Sequence, residues 1–109
     1  MAVVIEPMIG ESQKILGLSQ NEMADLFGVR QPSFAAWRSG HIPANRRASV
    51  ERLHELALVL RHELKPSRIP EIVRTPDAWL GNRSMLQVIR AEGVGPIYGY
   101  LARLFAYVG

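Results

Sequence analysis

Residues 16–43 constrain the fold of this 109-residue chain more than any other stretch, because they predict two short helices joined by a tight turn. Ser19 can cap the first helix, and Glu22, three residues later, can return the bond to the backbone. Gly28 falls at the end of that helix, where glycine adopts a left-handed turn without steric cost. Pro32 suits the first turn of the second helix. The local signals agree with one another, which strengthens the prediction.

Apolar and small residues in the same stretch predict how the two helices pack. Ala24 falls where the helices would cross, and its small side chain permits a close approach. Val29 would fill the corner between them. Phe34 and Trp37 lie three residues apart on the second helix and therefore share one face. We expect that face to be buried, which leaves the opposite edge of the helix in solvent.

Charge is distributed unevenly around this predicted unit. Residues 26–50 contain no aspartate or glutamate, but they contain Arg30, Arg38, Arg46 and Arg47. The whole chain has a formal net charge of only +3 and an isoelectric point near 9.8, so the basic character is local. A basic patch of this kind is typical of a surface that contacts phosphates, whereas a solvated face usually mixes both signs.

The stretch resembles the helix-turn-helix of the Cro and lambda-repressor superfamily, often called Xre-type. The residues that carry the resemblance are Leu16, Gly17, Leu18, Ser19, Gln20, Ala24, Gly28, Val29, Phe34, Trp37 and Gly40. In that family the second helix enters the major groove of DNA by its N-terminal end. An ordinary helical hairpin without a nucleic-acid role is the alternative, and the one-signed charge argues against it.

The resemblance also implies individual roles. By position, Gln31 and Ser33 contact bases, with Ala35 and Ala36 close to them, and Gln20 contacts a phosphate at the start of the first helix. Glutamine suits adenine, because its amide both donates and accepts hydrogen bonds. The four arginines of the basic patch are expected to contact the DNA backbone, which positions a protein without reading sequence.

Composition limits the remaining possibilities. A hydrophobic content of 48% excludes a disordered chain, and the length suits one small domain or two very small ones that share a core. Without cysteine there are no disulfides or thiolate metal sites, which fits a reducing cytoplasm. We expect no membrane span and no secretory signal, since no apolar run is long enough and the first basic residue is Lys14.

The chain is therefore predicted to be all-α, a lambda-repressor-like helix-turn-helix bundle followed by a small helical domain. We expect a flexible arm at 1–6, a DNA-binding domain at 7–64 and a C-terminal domain at 65–109. Apolar residues at three- and four-residue steps predict a long helix over 45–64. Pro70 and Pro76 are expected to keep the segment that follows irregular or broken into short turns.

Beyond these prolines the sequence predicts two more helices. Ser84 can cap a short helix, Gly93 and Gly95 break it, and Pro96 can start the last one. The region resembles the C-terminal toxin-binding domain of the Xre/MbcA/ParS antitoxins, although Met85 stands where that family usually has proline. The resemblance is carried by Thr75, Pro76, Asp77, Trp79, Leu80, Gly81, Asn82, Arg83, Ser84, Leu86, Val88, Ile89, Leu101 and Leu104.

This second resemblance implies an antitoxin that binds a RES-domain toxin, an enzyme that consumes NAD or uses it to modify a target. The C-terminal segment would block the toxin's active site, with the terminal carboxylate of Gly109 entering it, and the antitoxin would repress its own operon. Arg83 and Arg103 would pair with acidic groups at the rim. The candidate toxin-binding residues are Trp79, Arg83, Tyr98, Tyr100, Arg103, Tyr107, Val108 and Gly109. For Trp79 itself, packing in the core is the favoured alternative.

An enzyme and a stand-alone repressor are the two alternative classes of function. An enzyme is not expected, because the histidines form no metal or nucleophile motif and the glycines form no phosphate loop. His54 and His62 are predicted to be solvated residues of the long helix. A stand-alone Xre-type repressor, whose last third only dimerises or senses a ligand, shares every feature of the first half. In either case we expect operator DNA as a partner and a homodimer that meets two half-sites, and for the antitoxin a higher toxin–antitoxin assembly.

Overall fold

A computed structural model describes residues 5–108, and over this range the chain is all-helical, which confirms the predicted fold class. Short 3-10 turns precede α4, α5 and α6. The helices are α1 (Glu6–Leu16), α2 (Gln20–Phe27), α3 (Gln31–Arg38), α4 (Arg47–Glu63), α5 (Ile69–Arg74), α6 (Met85–Glu92) and α7 (Gly95–Val108).

The turn signals read from the sequence operate as predicted. Ser19 Oγ accepts from the Glu22 backbone N–H at 3.1 Å, and the Glu22 carboxylate accepts from the Ser19 N–H at 2.9 Å, so the capping box is present. Gly28 ends α2 in the left-handed region, at φ 68°. Arg30 is the N-cap of α3 in extended conformation, without a side-chain cap bond. α3 therefore begins at Gln31.

The core lies where α1 packs along α4 and the α2–α3 pair closes over them. Leu56, Ala57 and Leu60 of α4 are completely buried, as the three- and four-residue spacing predicts. Phe34 is completely buried and Trp37 nearly so, which confirms the predicted inner face of α3.

Helices from the C-terminal third complete the same core. α5 packs on α1, and α6 packs on both α2 and α7. Ile69, Val88 and Ile97, one from each of these three helices, are completely buried in one cluster with residues of α1–α4. The division at residue 64 stays a prediction, but the two parts share buried surface.

Arg74 of α5 joins the two parts by polar contacts. Its guanidinium binds both carboxylate oxygens of Glu22, at 2.8 and 3.0 Å, and donates to the backbone carbonyl of Gly17 at 2.7 Å. The third guanidinium nitrogen donates to the Pro70 carbonyl within α5. We call this set of contacts the Arg74 bridge. It fixes α5 against the turn between α1 and α2.

Two expectations about chain organisation need correction. Ile5 and Glu6 do not belong to a flexible arm as predicted for 1–6, because Ile5 is buried in the core and Glu6 begins α1; residues 1–4 lie outside the described range. The segment after Lys65 is more regular than predicted, since α5 is a short helix. Pro70 does not prevent it, because a proline in the first helical turn removes an N–H that has no helical partner.

The Arg74 bridge predicts an acid-dependent loss of stability. Hydrogen bonds from Arg74, and then from the Ser19 backbone, lower the pKa of Glu22 from 4.5 to about 2. A carboxylate with a lowered pKa stabilises the fold fully above its unfolded-state value, and this contribution is lost as the pH falls from about 4.5 towards 2. Both side chains are more than a third exposed, so screening limits the contribution to about 1 kcal/mol.

The variant that isolates this charge is Glu22→Gln, because glutamine supports the same kind of capping box at Gln87 of α6. Urea unfolding of both proteins should show wild type more stable at pH 7, with the gap narrowing below about pH 4.5 and closing only near pH 2. A gap that stays constant between these pH values would mean that the Glu22 charge does not stabilise the fold.

Candidate nucleic-acid interface and aromatic surface

α3 is oriented by an aromatic cluster beneath it. The rings of Phe27, Phe34 and Trp37 lie with centroids 5.3–6.3 Å apart. Since Phe34 and Trp37 point inwards, the first turn and the outer edge of α3 face solvent. Gln31 and Ser33 are both exposed. The prediction that this edge is accessible is thus confirmed for the described chain.

Most of the other predicted DNA-contacting positions are also accessible. Gln20 is the exposed first residue of α2, and Ala35 is exposed on α3, whereas Ala36 is half-buried. The N-termini of α2 and α3 both carry unpaired backbone N–H groups and the positive end of a helix dipole. Polar side chains at Gln20 and Gln31 therefore stand at ends that attract phosphate.

The four arginines of the basic patch fall into two kinds. Arg30, Arg38 and Arg47 are exposed, and Arg38 donates to the side chain of Gln13. Arg46 is half-buried: it donates to the Phe27 backbone carbonyl at 3.0 Å, and its guanidinium carbon lies 5.8 Å from the centre of the Trp37 ring. Arg46 thus packs against the aromatic cluster, and one of its guanidinium N–H groups already donates a hydrogen bond within the protein.

Carboxylates around α3 are few but not absent. Within residues 5–108, none of these four arginines forms an ion pair. The Glu22 carboxylate forms an ion pair with Arg74. Glu6 of α1 lies beside Gly40, just beyond the end of α3. One carboxylate, that of Glu6, therefore approaches the C-terminal end of α3 from another helix.

A second cluster of candidate side chains lies on the C-terminal third. Trp79 contacts both Tyr100 and Tyr107 edge to face, with centroids 6.2 and 5.9 Å apart, and the Arg103 guanidinium lies 4.4 Å from the centre of the Trp79 ring. We call Trp79, Tyr100, Arg103 and Tyr107 the aromatic surface. Tyr107 is 83% exposed and Trp79 37% exposed.

The loop before α6 builds this surface. Asp77 accepts from the Trp79 backbone N–H at 2.7 Å, which holds the 3-10 turn, and accepts from the Tyr100 hydroxyl at 3.1 Å. Burial, and then the hydrogen bond to Asp77, raises the pKa of Tyr100, so its hydroxyl stays a donor. Gly81 and Asn82 adopt positive φ angles of 71° and 61°, which turn the chain back so that Arg83 pairs with Asp77 through the backbone.

The structure brings together only part of the predicted toxin-binding set. The favoured expectation that Trp79 belongs to the core is wrong, because its side chain is not among the buried residues that form the core cluster. Arg83 is half-buried and pairs with Glu92 at 2.6 Å, so it is less available to a partner than predicted. Tyr98 lies apart from the aromatic surface, near Glu55 of α4. The Val108 side chain and Gly109 lie outside the described residues.

The long helix contains one further correction. The His54 side chain is only 15% exposed, and its Nε2 lies 2.5 Å from a Glu11 carboxylate oxygen, so the prediction that His54 is solvated is wrong. His62 is exposed, as predicted. Glu11 is 43 residues from His54 in sequence, so no local sequence pattern predicts this contact. The hydrogen bond from His54 is the main cause that lowers the pKa of Glu11.

Within residues 5–108, no group of three or more potential ligand side chains is arranged to hold a metal ion. No helix in this range is long and apolar enough to cross a bilayer. Comparisons with protein-family models, curated proteins and solved structures find no match to this chain.

Proposed function

We propose that this protein is a DNA-binding antitoxin that represses its own operon and neutralises a RES-domain toxin in the cytoplasm. In this proposal α2 and α3 bind operator DNA, and the aromatic surface with the end of α7 binds the toxin. The observation that carries the DNA-binding part is the outward edge of α3, which presents Gln31 and Ser33 beside arginines that have no carboxylate partner in the described chain.

The dimensions and chemistry of this edge suit the major groove. A groove about 12 Å wide admits an α-helix, and the base edges within it are distinguished by their donors and acceptors. Gln31 at the first position of α3 offers both a donor and an acceptor, which matches the edge of adenine. Arg30 and Arg47, at the starts of α3 and α4, are suited to phosphates on either side. A homodimer would place two such helices about one DNA turn apart.

The toxin-binding part rests on the resemblance of residues 75–104 to the antitoxin domain and on the composition of the aromatic surface. Tryptophan, tyrosine and arginine are the residues most enriched among binding hot spots, and all three types are adjacent in the aromatic surface. Trp79 and Tyr107 are exposed although the chain has a well-filled core. An exposed aromatic group of this kind is typical of a protein-binding surface. The competing function is a repressor without a toxin partner.

Substitutions at Gln31 and Arg47 separate base reading from phosphate contact. We expect Gln31→Ala to weaken binding to the chain's own promoter by about 1–3 kcal/mol, roughly 5- to 150-fold, with little effect on unrelated DNA. We expect Arg47→Ala to weaken both alike and to reduce the slope of log K against log salt by about 1. Electrophoretic titration at three salt concentrations measures both effects.

Arg61→Ala is the matched control, because Arg61 is an exposed arginine of the same helix. Its only ion pair among the described residues, with Glu11, is 3.9 Å long. It removes the same charge and should leave the salt slope unchanged. Removing Arg47 from the first turn of α4 carries no cost to that helix, since a cation there opposes the helix dipole. Unchanged promoter affinity in Gln31→Ala would remove Gln31 from the base-contacting set. If Arg47→Ala and Arg61→Ala weakened DNA binding equally, the loss would reflect the change in net charge and not a phosphate contact of Arg47.

A further inference from the structure

A cleft separates the end of α2 and the first half of α4 from the turn between α6 and α7. Its volume is about 650 Å³, within the range of roughly 300–1,000 Å³ that is usual for small-molecule sites. The floor is formed by the buried side chains of Leu26 and Leu53, and the walls include half-buried Phe27, Ile89 and Val94. The cleft is thus apolar at its base.

Three arginines line the rim of this cleft, namely Arg46, Arg52 and Arg90. In the part of the chain that the structure describes, Arg52 and Arg90 make no ion pair and no side-chain hydrogen bond, unlike Arg46, which binds the Phe27 carbonyl. The Arg90 guanidinium lies directly beside the backbone of Gly28. Two cationic groups over an apolar floor therefore have no protein partner.

Two carboxylates also line the cleft, and they do not cancel this charge. Glu92 is paired with Arg83, which does not line the cleft. Glu55 lies beside Tyr98 of α7. The local balance is three arginines against one free carboxylate, which favours a negatively charged occupant.

We infer that this cleft binds a small organic anion with one acidic group on an apolar body. Leu26, Leu53 and Ile89 would contact the apolar body, and the guanidinium groups of Arg52 and Arg90 would donate to the acidic group. Arginine suits this task because its planar group donates two parallel bonds to a carboxylate, sulfonate or phosphate. The inference does not depend on DNA binding or on the aromatic surface.

Two fluorescent probes that share one apolar body test the inference. They are 8-anilinonaphthalene-1-sulfonate, which carries a negative charge, and N-phenyl-1-naphthylamine, which is neutral. We expect the full chain to bind the sulfonate about tenfold more tightly than the neutral probe. The double variant Arg52→Gln/Arg90→Gln should lose about tenfold in sulfonate affinity and keep the neutral probe's affinity, since two partly exposed charge contacts contribute about 1.4 kcal/mol together.

Two further variants make the test specific. Arg61→Gln/Arg68→Gln makes the same change of net charge away from the cleft and should leave both affinities unchanged. Ser49→Phe places a large side chain on the exposed first turn of α4, at the cleft wall, and should reduce binding of both probes. Circular dichroism and the urea midpoint establish that each variant is folded.

Three results would overturn the inference. The first is equal affinity of the two probes for wild type, and the second is an equal loss of sulfonate affinity in both double variants. The third concerns the Arg52→Gln/Arg90→Gln variant. It would bind the sulfonate as wild type does but bind DNA weakly, with a smaller slope of log K against log salt. That outcome would assign the two arginines to DNA phosphates, and it would leave the proposed function standing while the ligand site failed.

Discussion

Replacing Phe34 with alanine is expected to destabilise the fold by about 3–5 kcal/mol, which is much of the roughly 5–15 kcal/mol that holds a small domain folded. Phe34 is completely buried and packs against the rings of both Phe27 and Trp37. Truncation to a methyl group removes its hydrophobic contribution and leaves a cavity that α3 cannot fill without moving. Urea unfolding at pH 7, followed by circular dichroism, measures the change in free energy.

Ser33→Ala is the matched control, since it is the preceding residue of the same helix and is exposed. Its effect on stability should stay within about 0.5 kcal/mol, while its effect on promoter binding reports on the outer edge of α3. The two substitutions together separate the face of α3 that holds it in place from the face proposed to contact bases. If Phe34→Ala cost less than about 1 kcal/mol, α3 would not be packed as described.

Local sequence signals predicted the elements well because their causes lie within a few residues. Ser19 and Glu22 are three apart, Ser84 and Gln87 likewise, and each pair forms the capping box that starts its helix. Glycine at position 28 predicts a left-handed residue at the end of α2, and Gly28 adopts that conformation. α5 was missed because the rule that proline breaks a helix does not hold in the first turn.

Contacts between distant residues could not be predicted in the same way. Arg74 and Glu22 are 52 residues apart, and Glu11 and His54 are 43 apart, so no spacing rule pairs them. The same limit explains Trp79. Its indole contacts Tyr100 and Tyr107 of α7, which are far from it in sequence, so no local pattern predicts where it lies.

Arg46 shows how a surface residue of the sequence acquires a structural role. Its place in an acid-free segment made it equivalent to Arg30, Arg38 and Arg47 as a phosphate contact. In the structure, its guanidinium reaches the C-terminal carbonyl of α2 and the Trp37 ring. Charge composition predicts which residues can contact phosphate, but packing determines which of them remain free to do so.

Replacing Trp79 with alanine is expected to weaken binding to a RES-domain toxin by at least about 2 kcal/mol, roughly 30-fold, while changing stability by less than about 1 kcal/mol. The large effect on binding follows from the position of Trp79 at the centre of the aromatic surface, where it contacts Tyr100, Tyr107 and Arg103. The small effect on stability follows from its exposure. Calorimetric titration of the full chain against a purified RES-domain toxin gives the affinity.

Tyr98→Ala is the control that makes this result interpretable, because Tyr98 has the same exposed fraction as Trp79, 37%, but lies in the arginine-lined cleft. The sequence predicts both residues in one toxin-binding set, but the structure separates them. We expect only Trp79→Ala to impair toxin binding. Both variants should bind promoter DNA as wild type does, since neither residue belongs to α2 or α3. Equal toxin affinity of wild type and Trp79→Ala would exclude the aromatic surface as the binding site. A full chain that binds its promoter but no neighbouring toxin would instead favour the stand-alone repressor.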